Sequence, residues 1–128
     1  MLFKKVDAVV VKVPDLDQGL EFYCHKLGHT LRWRAGDSAA VALGDCELVL
    51  STRLNPETDI LVESGAEAVE TIVRNGGSIV LAPEDIPVGK VAIVKDPFGN
   101  TLTLIDLSKG TYTTNASGDV TGVVSSSS

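Results

Sequence analysis

Basic charge is in short supply in this chain. Its 128 residues carry 11 Lys and Arg against 17 Asp and Glu, a net charge of −6 at neutral pH. A protein that grips a phosphate backbone needs a basic footprint, so nucleic acid is not an expected partner. Cysteine is also sparse. Cys24 and Cys46 are the two present, too few to suggest a disulfide framework, and a reduced, cytoplasmic protein is the expectation. Long apolar runs are missing too, and with them any expected membrane span. The opening Met1-Leu-Phe-Lys-Lys5 superficially resembles a signal peptide. Asp7 and Lys12 interrupt the apolar residues, however, and no small-residue cleavage site follows.

What is present is a repeat. Val13-Pro-Asp15-Leu-Asp-Gln18-Gly-Leu20-Glu21 aligns with Val62-Glu-Ser64-Gly-Ala-Glu67-Ala-Val69-Glu70, 49 residues later. Each copy offers a helix N-cap, Asp15 or Ser64, followed three residues on by Gln18 or Glu67. This is a capping box: the cap oxygen accepts a helical N–H while the later side chain reaches back. Each predicted helix stops at a glycine, Gly28 or Gly77, because glycine tolerates the left-handed conformation that closes a helix. An apolar content of 44 % suits one globular domain.

The run Val9-Val10-Val11 predicts a strand over 5–13, and Leu16, Leu20, Tyr23 and Leu27 recur after it at helical spacing. Strands follow over 29–34, 39–43 and 47–51, separated by the turn dipeptides Gly36-Asp37 and Gly44-Asp45. The second half repeats the plan. It reads as a strand over 59–62, a helix over 65–75, a strand over 78–82 and a loop over 84–89. Strands over 90–94 and 101–106 then flank the turn Asp96-Pro-Phe-Gly-Asn100. The fold class is therefore α+β, with two βαβββ modules. Each half-sheet has a second face to bury, so the modules are expected to form a half-open eight-stranded barrel around a cleft. Residues 1–108 make a single domain, with module one at 1–52 and module two at 58–108. Residues 109–128, rich in Ser, Thr, Gly and Asn, are expected to be a flexible polar tail.

Taken in order, Val13-Pro-Asp15-Leu16, Glu21-Phe-Tyr23 with Leu27-Gly28, Arg74-Asn-Gly-Gly77 and Asp96-Pro-Phe-Gly-Asn100 form a pattern. It resembles the vicinal oxygen chelate superfamily, which groups glyoxalase I, bleomycin-resistance proteins and extradiol dioxygenases. The resemblance implies a homodimer. In the metal enzymes it implies four His, Glu or Gln ligands on inward strand positions. Carried onto this sequence, those positions are Ala8, Val49, Glu57 and Thr103. A divalent ion needs nitrogen or oxygen lone pairs. Ala8 and Val49 offer none and Thr103 is a poor ligand, so no metal or other cofactor is expected. A slip of a residue or two in the alignment substitutes Glu47 or Asp59. That keeps a divalent metal such as Zn, Ni, Fe or Mn as the alternative.

Other residue groupings read as structural. His25 and His29 are four apart, but Gly28 ends the helix between them and turns the rings away from each other. Cys24 and Cys46 read as inert thiols, and Ser51, Ser64 and Ser78 have no base–acid partners for a hydrolase triad. Trp33 faces opposite to Arg32 and Arg34 on its strand and is the candidate for stacking on a planar ligand. Strand parity puts Ala8, Val10 and Lys12 on one face, Glu47, Val49 and Ser51 together, and Glu57 with Asp59.

These readings point to a small-molecule-binding protein of the glyoxalase and bleomycin-resistance type. It would sequester an amphipathic aromatic compound, using Trp33 and Phe98 for apolar surface, Glu47 and Asp59 for charge, and Thr103 on the cavity wall. Two enzymatic alternatives stand beside it. One is a divalent-metal-dependent lyase or isomerase, and the other a metal-free enzyme using a cavity carboxylate as base.

Overall fold

The computed structural model of the chain describes residues 1–125. Its Cα positions divide into two compact units. One holds residues 8–57 and 112–122, and the other residues 1–7, 58–111 and 123–125. Each carries one βαβββ module, so the α+β class and the twofold plan of the sequence are both present.

The first half-sheet is made of β1 (Lys5–Lys12), which enters the first unit at Ala8, β2 (Leu31–Ala35), β3 (Ser38–Leu43) and β4 (Cys46–Ser51). They lie in the order β2-β3-β4-β1. β1 and β4 are parallel, with Ala8 opposite Glu47, Val10 opposite Val49 and Lys12 opposite Ser51. Gly36 and Gly44, with φ of 57° and 58°, make the tight turns that let β2, β3 and β4 follow one another as hairpins. Alternation along the strands sorts the side chains onto two faces. Ala8, Val10, Ala40 and Val49 form one buried cluster, with Trp33 and Leu54 packed against it. Val13, Leu16, Ala39 and Leu50 form the other, joined by Leu20 and Tyr23 from the helix.

That helix starts as expected and ends differently. Asp15 caps α1 (Leu16–Leu20), its side chain accepting the Gln18 N–H. From Glu21 to Lys26 the coil widens into a π-helical turn, with the Leu27 N–H donating to the Phe22 carbonyl five residues back. The extra residue per turn rotates the chain beyond it, so Leu27 is exposed rather than on the buried stripe its spacing predicts. Gly28, at φ 83°, then reverses the chain.

The second unit repeats the topology. β5 (Glu57–Leu61), β6 (Ser78–Ile86), β7 (Gly89–Lys95) and β8 (Thr101–Asp106) run in the order β5-β8-β7-β6, and β5 is parallel to β8. Ser64 caps α2 (Gly65–Arg74) by accepting the Glu67 N–H. Val62, Ala68, Val69, Ala92, Val94 and Leu104 form the core between helix and sheet. Gly76 (φ 101°), not Gly77, supplies the left-handed residue that closes α2. Gly77 is needed for space instead: a Cβ there would lie 2.5 Å from Ile72 Cγ2 and 2.6 Å from the Lys95 carbonyl oxygen. β6 also runs on through the stretch expected as a loop, pairing Glu84 with Val91 and Asp85 with Lys90. Pro83, which has no N–H for a ladder bond, lies inside this strand. As β6 lies at the edge of its half-sheet, its register shifts accommodate the proline.

The stretch expected as a flexible tail is folded up to Val124. β9 (Thr111–Thr114) and β10 (Val120–Val124) pair as a hairpin. Its turn is tied by the Asn115 side chain, which accepts the N–H groups of Ser117 and Asp119. Residues 126–128 of the expected tail lie outside the described residues.

Candidate functional site

The site is built on the face of the first half-sheet that α1 leaves uncovered. Strand alternation puts Ala8 and Val10 of β1, Val49 of β4 and Ala40 of β3 there as an aliphatic floor, each 7 % exposed or less. Trp33 lies beside it on β2, opposite Ala40. Its indole Nε1–H donates to Glu47 Oε1 at 3.1 Å, so the carboxylate fixes the plane of the ring. Tyr112 of β9 packs on Trp33 with ring centroids 5.0 Å apart, tilted by 53°. Burial pushes the Tyr112 phenol up from its ordinary value, and the nearby Glu47 charge adds to the effect. The phenol therefore stays neutral at neutral pH.

Arg34 of β2 belongs to the other face. Arg34 Nη1 donates to Asp17 Oδ1 of α1 at 3.0 Å, which is the alternation the sequence pattern requires. In the second unit, Asp59 of β5 stands opposite Thr103 of β8, and Thr103 is buried. Both lie on the face away from α2, since Ile60 and Leu104 point into the helix-side core. Phe98 sits in the turn between β7 and β8 and is 87 % exposed, so its ring contributes no buried wall. Glu57 is half-buried at the start of β5.

The remaining polar candidates are held by the fold. His25 Nδ1 bonds to Glu21, whereas His29 Nδ1 donates to the Ala42 carbonyl at 3.1 Å, so the two rings serve different partners. Burial raises the Cys24 thiol, which lowers its thiolate fraction. Cys46 Sγ donates to the Leu43 carbonyl. Ser51 Oγ accepts the N–H groups of Arg53 and Leu54 and shapes the turn after β4.

The profile of the Glyoxalase/Bleomycin resistance protein/Dioxygenase superfamily matches residues 5–104. The chain belongs to this superfamily. Among solved structures, hypothetical protein BH1468 from Bacillus halodurans C-125 superposes with a TM-score of 0.69 at 18 % identity, over 87 % of this chain and 98 % of that one. Methylmalonyl-CoA epimerase from Mycobacterium tuberculosis gives 0.64 at 17 % identity, over 82 % and 89 %. A variant of homoprotocatechuate 2,3-dioxygenase from B. fuscum gives 0.57 at 14 % identity, over 82 % of this chain and 33 % of that one. At these identities the likeness is one of fold. No curated protein sequence matches the chain.

Superfamily membership raises the question of a divalent metal. At the positions the family likeness points to, Ala8 and Val49 are packed alkyl groups of one buried cluster, Thr103 offers a hydroxyl and Glu57 a single carboxylate. This donor set does not fit a divalent ion. Among the described residues, no group of three or more His, Cys, Asp or Glu side chains is placed to hold one. No helix among them is long and apolar enough to cross a membrane.

Sequence reasoning passed over Tyr112, because the composition of 109–128 suggested a tail. The signal was there in the β-branched and aromatic run Thr111-Tyr112-Thr113-Thr114 and in the second run after Gly118-Asp119.

Proposed function

We propose that this superfamily member binds an amphipathic, cationic aromatic compound on the Trp33 face without the help of a divalent ion. The observation that supports this reading is the Trp33–Glu47 hydrogen bond beside an aliphatic floor. A flat ring gains from stacking on an indole whose orientation is fixed in advance. A positive charge on the ligand gains from the half-buried Glu47 carboxylate and from the indole face. The alkyl side chains of Ala8, Val10 and Val49 supply apolar contact without specific chemistry, which suits sequestration rather than turnover.

Trp33 is the single tryptophan, so its fluorescence reports directly on the face. Titration with planar cationic dyes is expected to quench it saturably. Glu47→Gln is expected to weaken binding about twofold to fivefold, the cost of one partly exposed charge contact. The absence of a saturable response across the panel overturns the proposal. So does metal analysis of the purified protein that finds a stoichiometric transition ion held by side chains.

A further inference from the structure

We infer that Tyr112 is an internal ligand: its phenol ring holds the place on Trp33 that a bound compound takes, and the β9–β10 hairpin is a strap that must release it first. The assignment rests on the proposed use of the Trp33 face as a binding site. The spacing of the two rings carries it. Their centroids are 5.0 Å apart, whereas a third ring between them needs about 7 Å, two carbon contact distances of about 3.5 Å. Trp33 is itself packed against the aliphatic cluster of Ala8, Val10, Ala40 and Val49. A compound that stacks on the indole therefore replaces Tyr112 rather than joining it. Charge then narrows the class of compound. The Glu47 carboxylate that accepts the Trp33 Nε1–H also lies near enough to the Tyr112 phenol to raise it. A seat for one six-membered ring, with a negative charge toward the ring's polar end, suits a phenol. It also suits a ring of the same size that carries a cationic N–H group there.

Little holds the strap down. Among the described residues β9 and β10 pair as a sheet of their own, and a lone two-stranded hairpin is marginally stable in water. Its backbone meets β2 at one place, where Arg34 bridges to Asp119 and the Arg34 N–H donates to the Gly118 carbonyl at 2.8 Å. No residue from 111 to 125 is buried, and segments with so few buried contacts open at low cost. The chain enters the hairpin from a firmer point, since the Lys109 and Gly110 N–H groups donate to the Val88 carbonyl at 2.9 and 3.2 Å. Tyr112 thus leaves the indole without disturbing the core, and the strap stays attached when it does.

p-Cresol is the tyrosine side chain as a free molecule. In full-length Tyr112→Ala, its folding checked by thermal melting, p-cresol is expected to bind saturably and to return Trp33 emission toward that of the wild type. 4-Aminobenzamidine, a single planar ring with a positive charge, is expected to bind Tyr112→Ala about threefold to tenfold more tightly than the wild type. An occupied seat lowers the fraction of protein able to bind. Equal or weaker binding to the variant overturns the inference, because Tyr112 is then a wall of the site or lies outside it. If 4-aminobenzamidine binds neither protein, the proposal of a cationic ligand falls and p-cresol decides alone: a Trp33 signal in Tyr112→Ala that p-cresol leaves unchanged overturns the inference. If Tyr112→Ala does not fold, the wild type labelled with 3-fluorotyrosine decides. Its tyrosines are Tyr23 and Tyr112. Saturation with 4-aminobenzamidine or p-cresol is expected to move the Tyr112 fluorine signal to that of a tyrosine away from an indole, and a signal that stays in place overturns the inference.

Discussion

Asp106 fastens the start of α2 to its sheet. The side chain is 2 % exposed, and its Oδ2 accepts the Gly65 N–H at 2.6 Å. Its Oδ1 accepts from the Lys90 N–H at 2.9 Å and from Ser108 Oγ at 2.7 Å. Burial pushes the carboxyl up. The hydrogen bonds from Gly65, Ser108 and Lys90 outweigh that and hold it below its ordinary value. A carboxyl depressed in the folded state adds stability above its unfolded pKa of about 3.9, and that stability is lost as pH falls through the folded value. Asp106→Asn is therefore expected to cost about 2–3 kcal/mol at neutral pH, read from urea unfolding. The gap to the wild type should narrow as pH drops below about 4, and a gap that is constant with pH contradicts the assignment. The caps Asp15 and Ser64 were legible because each acts on a helical N–H three residues away. Asp106 was not, because Gly65 lies 41 residues before it and local pattern holds no trace of that distance.

Among the elements, those with a clean period were legible and those that break one were not. Alternating residues marked β1, β3, β4, β7 and β8 within a residue or two, since each buries a face of a sheet. The π-turn after α1 was hidden because it keeps the helical residue types and changes only the winding. The β9–β10 hairpin was hidden by its polar composition: most of its residues remain exposed, so burial left little mark on the sequence. Its anchors are few and lie far away in the sequence, namely Tyr112 on Trp33 and the Gly118 carbonyl on Arg34. Termination after Lys109 is expected to expose the indole. Trp33 emission should shift to the red and its acrylamide quenching constant should rise about twofold, in keeping with loss of an aromatic neighbour. Tyr112→Ala should reproduce most of the change without removing the hairpin. Quenching that is the same in all three proteins would mean that Tyr112 does not cover the ring.

At the scale of the molecule, the repeat was the most legible feature, because both modules obey one strand order and one capping scheme 49 residues apart. Function was less legible, since this superfamily's scaffold does not dictate its chemistry. Charge gives a further handle. Several cations are tied to local carboxylates: Arg34 to Asp17, Arg53 to Asp37, and Lys90 and Lys109 to Asp85. The chain keeps its net charge of −6, so its distant field attracts cations whatever the details of the binding face. For a matched pair of planar ligands, one cationic and one anionic, stopped-flow Trp33 fluorescence is expected to show faster association of the cation at low salt. Raising the ionic strength from about 0.01 M to 1 M shortens the screening length from about 30 Å to 3 Å. The cation's association rate should then fall by about tenfold while its dissociation rate changes little, because steering acts on the approach and stacking on the residence. If dissociation carries the whole salt effect, the attraction comes from the Glu47 contact alone and the net charge plays no part.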